Sequence, residues 1–230
     1  MYCLGEHHGR RINNLRYADD TSVIADTAEE LQILLNEING VGVQYRLVIN
    51  VNKTEFMVVS RERYIEVALQ INGEHIQRVS SFKYLGAMLN ERCDDDEEVR
   101  IRVGHVKSTY GKLRTYLAGR EVPMDLKMRM IRWYIWPVLQ YGVETWSLKI
   151  RSINQLEACE MWILRRILRI SWIEKISKQE VLRRAGVQRE IMHIVKIRKT
   201  ANLAHILRGE KYEVPKLIIT GKMEGKRGIG

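Results

Sequence analysis

Two adjacent aspartates, Asp19 and Asp20, are the residues of this chain whose chemistry is most easily recognised. They follow Tyr17 and Ala18 in a short segment flanked by apolar residues, a pattern that predicts a β-hairpin. Side chains alternate between the faces of a strand, so a turn at this point is needed to expose both acids together. Carboxylate oxygens suit Mg²⁺, and paired metal ions held by carboxylates serve phosphoryl transfer. A solvated Asp-Asp turn is the alternative, because aspartate favours turns for local reasons.

The longer run from Ile12 to Ala25 resembles the catalytic hairpin of reverse transcriptases, in the form found in non-LTR (LINE-like) retrotransposon enzymes. Later segments are similar to that family in order and spacing, and together they match the blocks called motifs C, D and E. The likeness extends over nearly the whole chain. The matching segments after the hairpin are Glu29 to Ile38, Leu47 to Asn50, Lys53 to Met57, Phe82 to Gly86, Cys159 to Gly186 and Lys226 to Gly228.

The resemblance implies a role for several residues around the hairpin. Asp19 and Asp20 would be the catalytic ligands of Mg²⁺ or Mn²⁺, with Tyr17 and Ala18 in the nucleotide pocket. Lys53 would lie near the incoming triphosphate, although a lysine before a strand is often only solvated. The partners implied are an RNA template, a DNA primer and nucleoside triphosphates.

The resemblance also implies a primer-binding hairpin at the end of the first third of the chain. Aromatic faces and a lysine suit a sugar-phosphate strand. Packing of Phe82 and Leu85 in the core of a final strand is an alternative that is compatible with primer binding. The residues concerned are Phe82, Lys83, Tyr84, Leu85 and Gly86.

The fold expected from this resemblance is α+β in three parts. Residues 1–90 would form a partial polymerase palm, an antiparallel sheet with the aspartate hairpin and one helix. Residues 91–150 would form an all-helical thumb, and residues 151–230 a basic helical connector with a disordered tail. All five tryptophans lie between residues 133 and 172, where they are expected to be mostly core residues, with stacking on bases as the alternative.

Local signals predict where the elements of the first part begin and end. Thr27 and Glu30 form a capping box, and glycines at positions 40 and 42 are expected to end the helix that follows. β-rich segments predict strands at 45–50, 56–59 and 67–71. Asn72-Gly73 predicts a hairpin turn, since both residue types tolerate positive φ.

Capping signals and apolar spacing predict a series of helices in the rest of the chain. Five acids, Asp94 to Glu98, are expected to open a helix whose apolar stripe runs from Val99 to Leu117. Arg102 and four other cations are expected to lie largely off that stripe. Further predictions are a helix from Asp125 that Pro137 stops, capping boxes at Ser152–Gln155 and Ser177–Glu180, and a long helix over 189–207.

Charge and composition narrow the class of protein. The 230 residues carry a net charge of +10, and residues 165–230 alone hold 17 Lys/Arg against 6 Asp/Glu, or +11. Such a basic segment suits nucleic acid, with ordinary solubilising charge as the alternative. Three widely spaced cysteines argue against a disulfide framework and a zinc finger. His7 and His8 are expected to be exposed polar residues rather than metal ligands.

No apolar run is long enough to span a bilayer and no signal peptide opens the sequence, so an intracellular protein is expected, nuclear or cytoplasmic. The sequence does not determine its oligomeric state. Palm polymerases also use a third carboxylate in motif A and template-binding fingers, and residues 1–11 do not contain them. Asp26 is too many residues beyond Asp20 to share its metals.

The expectation is therefore a reverse transcriptase fragment that is inactive alone. A non-catalytic nucleic-acid-binding remnant is the first alternative. A purely structural protein-interaction module, which would dock through its apolar helix stripes, is the second.

Overall fold

The computed structural model describes residues 13–60 and 66–220 of the chain. Residues 1–12, which include His7 and His8, and the tail from Lys222 lie outside the described residues. Two units are distinguished by their internal contacts. The first comprises the described parts of Met1–Phe82, Asn90–Arg92 and Ile206–Gly230, and the second comprises Lys83–Leu89 and Cys93–His205.

The first unit begins with the predicted hairpin. Strand β1 (Asn14–Tyr17) pairs antiparallel with β2 (Asp20–Val23), and Tyr17 lies opposite Asp20. This pairing leaves a two-residue loop of Ala18 and Asp19. Ala18 has a φ of 53°, the left-handed backbone that two-residue hairpin loops require at their first position.

Helix α1 (Ala28–Gln44) begins as predicted, because the Thr27 hydroxyl accepts a hydrogen bond from the Glu30 N–H at 3.2 Å. The predicted end at Gly40 and Gly42 is wrong, since the helix runs through both glycines. It ends in a Schellman motif, in which the Leu47 N–H donates to the Gly42 carbonyl at 2.9 Å and Arg46 adopts a φ of 58°. A Cβ on Gly42 would lie 2.9 Å from the Leu47 carbonyl oxygen, so the glycine permits close packing rather than termination.

The middle of the first unit contains less strand than predicted. The segment 45–50 forms no strand, and a 3₁₀ turn at Val51–Lys53 follows it. Strand pairing here is limited to two-residue segments. The pairs are β3 (Glu55–Phe56) with β6 (Gln77–Arg78), which is parallel, and β4 (Gln70–Ile71) with β5 (Glu74–His75), which is antiparallel.

The hairpin turn at Asn72-Gly73 is confirmed, with φ values of 54° and 85°. The Gln32 side chain fastens α1 to this hairpin through both backbone groups of Gln70, at 2.7 and 2.9 Å. Beneath these contacts lies a small core. Its buried residues are Leu35, Phe56, Leu69, Ile71 and Ile76.

A last hairpin precedes the helices. It consists of β7 (Ser81–Tyr84) and β8 (Ala87–Asn90), whose loop residues Leu85 and Gly86 both have positive φ, 46° and 85°. Positive φ at both loop positions is the feature of a type I′ turn, whose twist matches that of paired strands.

Helix α2 (Asp96–Leu117) opens on acidic residues, as predicted. These acids also bind the start of a later helix: the Ser147 N–H and hydroxyl donate to Asp95, and Ser152 donates to Asp96 at 2.6 Å. The expectation for Arg102 is wrong, because only 7% of its surface is exposed.

The helix predicted from Asp125 begins at α3 (Met124–Met130), but Pro137 does not stop it. A π-helical turn (Ile131–Ile135) continues into α4 (Trp136–Leu139), where Pro137 lies in the first turn. The Trp136 N–H donates to the Ile131 carbonyl five residues earlier, so the proline lies directly after a π-type hydrogen bond and not within a regular α-helix.

Helix α5 (Ile150–Ile167) begins before the capping box predicted at Ser152, so Ser152 is an interior residue and is buried. The other capping box is confirmed: Ser177 caps α6 (Lys178–Ala185), and Gly186 ends it at a φ of 65°. Helix α7 (Ile191–Arg208) matches the predicted long helix, and α8 (Glu213–Thr220) follows. No helix within 13–60 or 66–220 is long and apolar enough to cross a membrane.

The helices of the second unit share one large apolar core. It continues across residue 150, where the sequence predicted a domain boundary, because α2 packs directly on α5. Trp136 and Trp146 are buried in it, as predicted for most tryptophans. Residues contributed by successive helices include Val99, Val106, Ile131, Ile135, Leu156, Ile163, Val181 and Ile191.

Candidate functional site

The hairpin loop presents Asp19 and Asp20 to solvent. Asp19 occupies the loop itself and Asp20 the first position of β2, and both residues are exposed. Within the described residues neither side chain has a hydrogen-bond or ion-pair partner. Ala18 adopts the left-handed conformation that a two-residue hairpin loop requires at its first position, and this places both carboxylates at the turn.

The donor atoms at this loop fit Mg²⁺ in chemical type but are few in number. Four carboxylate oxygens from two residues can bind a hard cation. In residues 13–60 and 66–220, no group of three or more His, Cys, Asp or Glu side chains is arranged to hold a metal. Asp19 and Asp20 therefore supply part of a ligand set.

Three further predicted site residues lie in the same unit. Lys53 ends the 3₁₀ turn before β3 and is exposed. Tyr17, which is 66% exposed, lies at the base of the hairpin loop. Phe82 is half-buried in β7.

The tip of the β7–β8 hairpin is fastened to the helices of the second unit through its backbone. The Tyr141 hydroxyl donates to the Leu85 carbonyl at 2.5 Å, and the Arg102 guanidinium donates to the Gly86 carbonyl at 2.5 Å. The Met88 N–H donates to the Glu98 carboxylate at 2.8 Å. We call Glu98, Arg102 and Tyr141 the hairpin clasp.

The members of the hairpin clasp also bind one another. Arg102 pairs with Glu98 at 2.5 Å, with side chains only 9% and 3% exposed, and its guanidinium carbon lies 4.4 Å from the centroid of the Tyr141 ring. A side chain at Gly86 would require the Tyr141 ring to shift, since an added Cβ would lie 3.0 Å from the Tyr141 hydroxyl oxygen. The clasp therefore fixes the position of the tip while leaving Lys83 and Leu85 exposed.

Sequence reasoning missed the hairpin clasp. Glu98 looked like one of five helix-opening acids, and Arg102 like a surface cation. Their spacing of four residues on one helix is a signal of an ion pair, but it does not reveal burial, which depends on a hairpin and on Tyr141 from elsewhere in the chain.

Many cations of the basic C-terminal third have structural partners. Arg165 donates to the Ile176 carbonyl, Arg169 to the Ala118 carbonyl, and Lys199 to the carbonyls of Glu144 and Trp146. Further pairs are Arg183 and Arg184 with Glu180, Arg189 with Glu157, and Arg198 with Glu144. Several cations of this segment are therefore engaged in contacts within the fold, although the paired arginines remain 40–74% exposed.

Comparison with known proteins finds a similarity in the first part of the chain. Residues 3–89 match the family described as reverse transcriptase (RNA-dependent DNA polymerase). The match includes the aspartate hairpin, Lys53 and the β7–β8 hairpin.

Two curated proteins are similar over longer stretches. An RNA-directed DNA polymerase from the mobile element jockey of Drosophila funebris is 22% identical over 164 residues, which cover 68% of this chain and 18% of that protein. A putative uncharacterized transposon-derived protein of Caenorhabditis elegans is 22% identical over 213 residues, covering 87% of this chain and 74% of that protein. No solved structure matches. These similarities support a relationship to reverse transcriptases of mobile elements.

Proposed function

We propose that this chain is the C-terminal part of a non-LTR retrotransposon reverse transcriptase, consisting of the second half of the palm, a thumb and a connector. In the intact enzyme it would contribute to RNA-directed DNA synthesis. The observation that carries the proposal is the hairpin loop at Ala18, which presents two exposed carboxylates inside the segment that matches reverse transcriptases.

Asp19 and Asp20 would hold the divalent cation, Mg²⁺ or Mn²⁺. When bound, such a cation supplies positive charge to the phosphoryl group that is transferred. Lys53 would attract the triphosphate, and Tyr17 and Ala18 would face the nucleotide. Lys83, Tyr84, Leu85 and Gly86, with Phe82, would contact the primer strand, and the hairpin clasp would keep that tip in place.

Manganese binding tests the role of the two aspartates. We expect Mn²⁺ titrated into the 230-residue chain to broaden the NMR signals of residues 17–21 with a dissociation constant on the order of millimolar, because Mg²⁺-type sites need several well-placed oxygens. Asp19→Asn and Asp20→Asn should each abolish the broadening, and Asp125→Asn, an exposed acid elsewhere, should not. Broadening that persists in both hairpin variants would remove the metal role.

A non-catalytic nucleic-acid-binding remnant is the second candidate, favoured by the net charge of +10. Primer extension on an RNA template separates it from an active enzyme. We expect the 230-residue chain to add no nucleotides with Mg²⁺ or Mn²⁺, because its described carboxylates provide only part of a metal site. Template-dependent incorporation that is lost in Asp19→Asn would instead show that this chain is itself a polymerase.

A further inference from the structure

Trp133 and Tyr134 stand out among the aromatic residues of the second unit. Both lie on a helix, yet 60% of the Trp133 surface and 56% of the Tyr134 surface are exposed. Large aromatic side chains are usually mostly buried, as Trp136 and Trp146 are in this fold. Two adjacent exposed aromatic residues on a well-packed helix are candidates for a binding surface.

The backbone beneath the pair explains its exposure. Ile131 and Ile135 mark the ends of the π-helical turn and are fully buried, while the three residues between them all face solvent. A π turn accommodates one more residue than an α turn, and such turns occur frequently at functional sites. The exposed residues therefore lie on a helix that is anchored in the core by the buried residues on either side of them.

Interactions on the adjoining side keep this turn in place. Arg132 binds Glu190 through two hydrogen bonds, one of them from Nε at 3.1 Å. The same carboxylate accepts a hydrogen bond from the Trp136 indole at 3.4 Å. Because Arg132 and Trp136 flank the exposed pair and both bind Glu190, the helix that carries the two rings is anchored on either side of them.

A cation accompanies the exposed indole. The Arg129 guanidinium carbon lies 5.0 Å from the centroid of the Trp133 ring. Two other cations lie between residues 124 and 135, but Lys127 is buried and Arg132 is paired with Glu190, so Arg129 is the cation of this segment that accompanies the exposed rings. The surface formed by Arg129, Trp133 and Tyr134, the aromatic platform, is therefore exposed and aromatic, with a cation beside the indole.

We propose that the aromatic platform binds single-stranded nucleic acid by stacking an unpaired base on Trp133 or Tyr134. Every base has a π face, and an arginine beside an indole adds attraction to the neighbouring phosphate. A duplex does not offer a free base face, so the platform discriminates against it. This inference deepens the nucleic-acid part of the proposed function and assigns that function a site outside the aspartate hairpin.

The test uses the whole 230-residue chain and a fluorescently labelled single strand of about 16 nucleotides, within the range of single-strand site sizes. At low salt, Trp133→Ala should weaken binding of the single strand about 5- to 150-fold, the range that corresponds to loss of one stacked base. Trp133→Phe should retain most of the affinity because it keeps an aromatic face. Tyr116→Ala, which removes an equally exposed aromatic residue on α2, is the matched control and should change little.

Tryptophan emission provides a second readout. A base stacked on Trp133 should quench part of the tryptophan emission of the wild-type chain. The Trp133→Phe variant should still bind the strand but should no longer show that part of the quenching. Thermal melts should show that the variants remain folded, since the replaced side chains lie outside the core.

Three results would overturn the inference, and they differ in what else they affect. If the wild-type chain binds the single strand and Trp133→Ala binds it equally well, the aromatic platform is not its site, while nucleic-acid binding stands. If the wild-type chain binds neither single strand nor duplex at low salt, the nucleic-acid part of the proposed function fails together with the inference. Self-association of the wild type that Trp133→Ala abolishes, without an effect on the strand, would identify a protein interface instead.

Discussion

At the scale of single residues, the buried ion pair of the hairpin clasp is a strong constraint on substitution. Arg102 and Glu98 are both buried, and each also binds the backbone of the hairpin tip. A buried pair is not necessarily stabilising in total, but removal of one partner leaves the other charge without compensation.

We therefore expect Arg102→Met to lower the free energy of unfolding by about 3–5 kcal/mol. The double variant Glu98→Gln with Arg102→Met should lose less than the sum of the two single variants, because the two residues interact directly. Urea denaturation of the four proteins measures this coupling. A decrease below about 1 kcal/mol for Arg102→Met would mean that the pair behaves as a surface salt bridge.

A second residue-scale constraint is Glu160, only 2% of which is exposed. One of its oxygens accepts from the N–H groups of Glu190 and Ile191 at the start of α7, at 2.7 and 3.2 Å, and the other has no partner among the described residues. Burial raises the pKa of this carboxyl above its usual range, although the two N–H groups oppose that effect.

Because its pKa is raised in the folded state, Glu160 contributes stability that is fully present below the unfolded pKa of about 4.3 and is lost as the pH rises through the folded pKa. Glu160→Gln keeps an acceptor for α7 and removes the titration. We expect the variant to gain stability relative to the wild type as the pH is raised from about 4 to neutrality. Urea denaturation across this range measures the difference, with exposed Glu121→Gln as control. A difference that is independent of pH would contradict the assignment.

At the scale of secondary-structure elements, helix ends that depend on local capping were predicted correctly from the sequence. Strands that depend on pairing with another segment were predicted poorly. Thr27 and Ser177 cap their helices as expected, because each cap lies within three residues of its donor. Segment 45–50 is rich in β-forming residues but has no neighbouring strand, and sequence propensity does not report neighbours. The helix end predicted at Pro137 and the helix start predicted at Ser152 were wrong for the same reason. Tertiary packing, which local sequence does not report, determines where the helices around them begin.

The end of α1 gives a direct test of one strained position. Arg46 adopts a left-handed backbone in the Schellman motif, a conformation that glycine tolerates at lower cost. We expect Arg46→Gly to raise the stability of the first unit by about 0.5–1 kcal/mol. Native-state hydrogen exchange at Leu35 reports on this unit. Arg46→Ala keeps the strain and should show no gain, and an equal gain in both variants would point to removal of the arginine side chain instead.

The residues of the proposed sites divide in the same way. Asp19, Asp20 and the turn between their strands were predictable, because a hairpin is local. The hairpin clasp and the aromatic platform were not, because one depends on the meeting of distant segments and the other on a π-helical turn that no simple periodicity signals.

At the scale of the whole molecule, the charge distribution leads to a prediction about nucleic acid. Deletion of residues 165–230 is not a clean test, because Val181, Ile191 and Val195 belong to the core of the second unit. Lys175, Lys178 and Lys196 are exposed and are better targets.

We expect replacement of these three lysines by alanine to weaken duplex DNA binding and to reduce the slope of log affinity against log salt. The reduction should be at most about 2.7, or about 0.9 for each phosphate that is no longer neutralised. Fluorescence anisotropy at several salt concentrations measures the slope. Neutralisation of Arg16, Arg92 and Arg100 removes the same charge outside the basic third and should have a smaller effect. Equal effects of the two sets would show that only net charge matters.

The proposal that Asp19 and Asp20 hold a divalent cation beside the end of a primer can be tested with Fe²⁺ in place of Mg²⁺. Bound Fe²⁺ reduces added hydrogen peroxide to hydroxide and a hydroxyl radical and is itself oxidised to Fe³⁺, which ascorbate returns to Fe²⁺. The radicals cut the nucleotides nearest the iron. With a DNA primer on an RNA template at low salt, we predict cleavage concentrated at the 3′ end of the primer, lost in Asp19→Asn and in Asp20→Asn and retained in Asp125→Asn. Cleavage spread evenly along the primer, or unchanged in both hairpin variants, would contradict the claim.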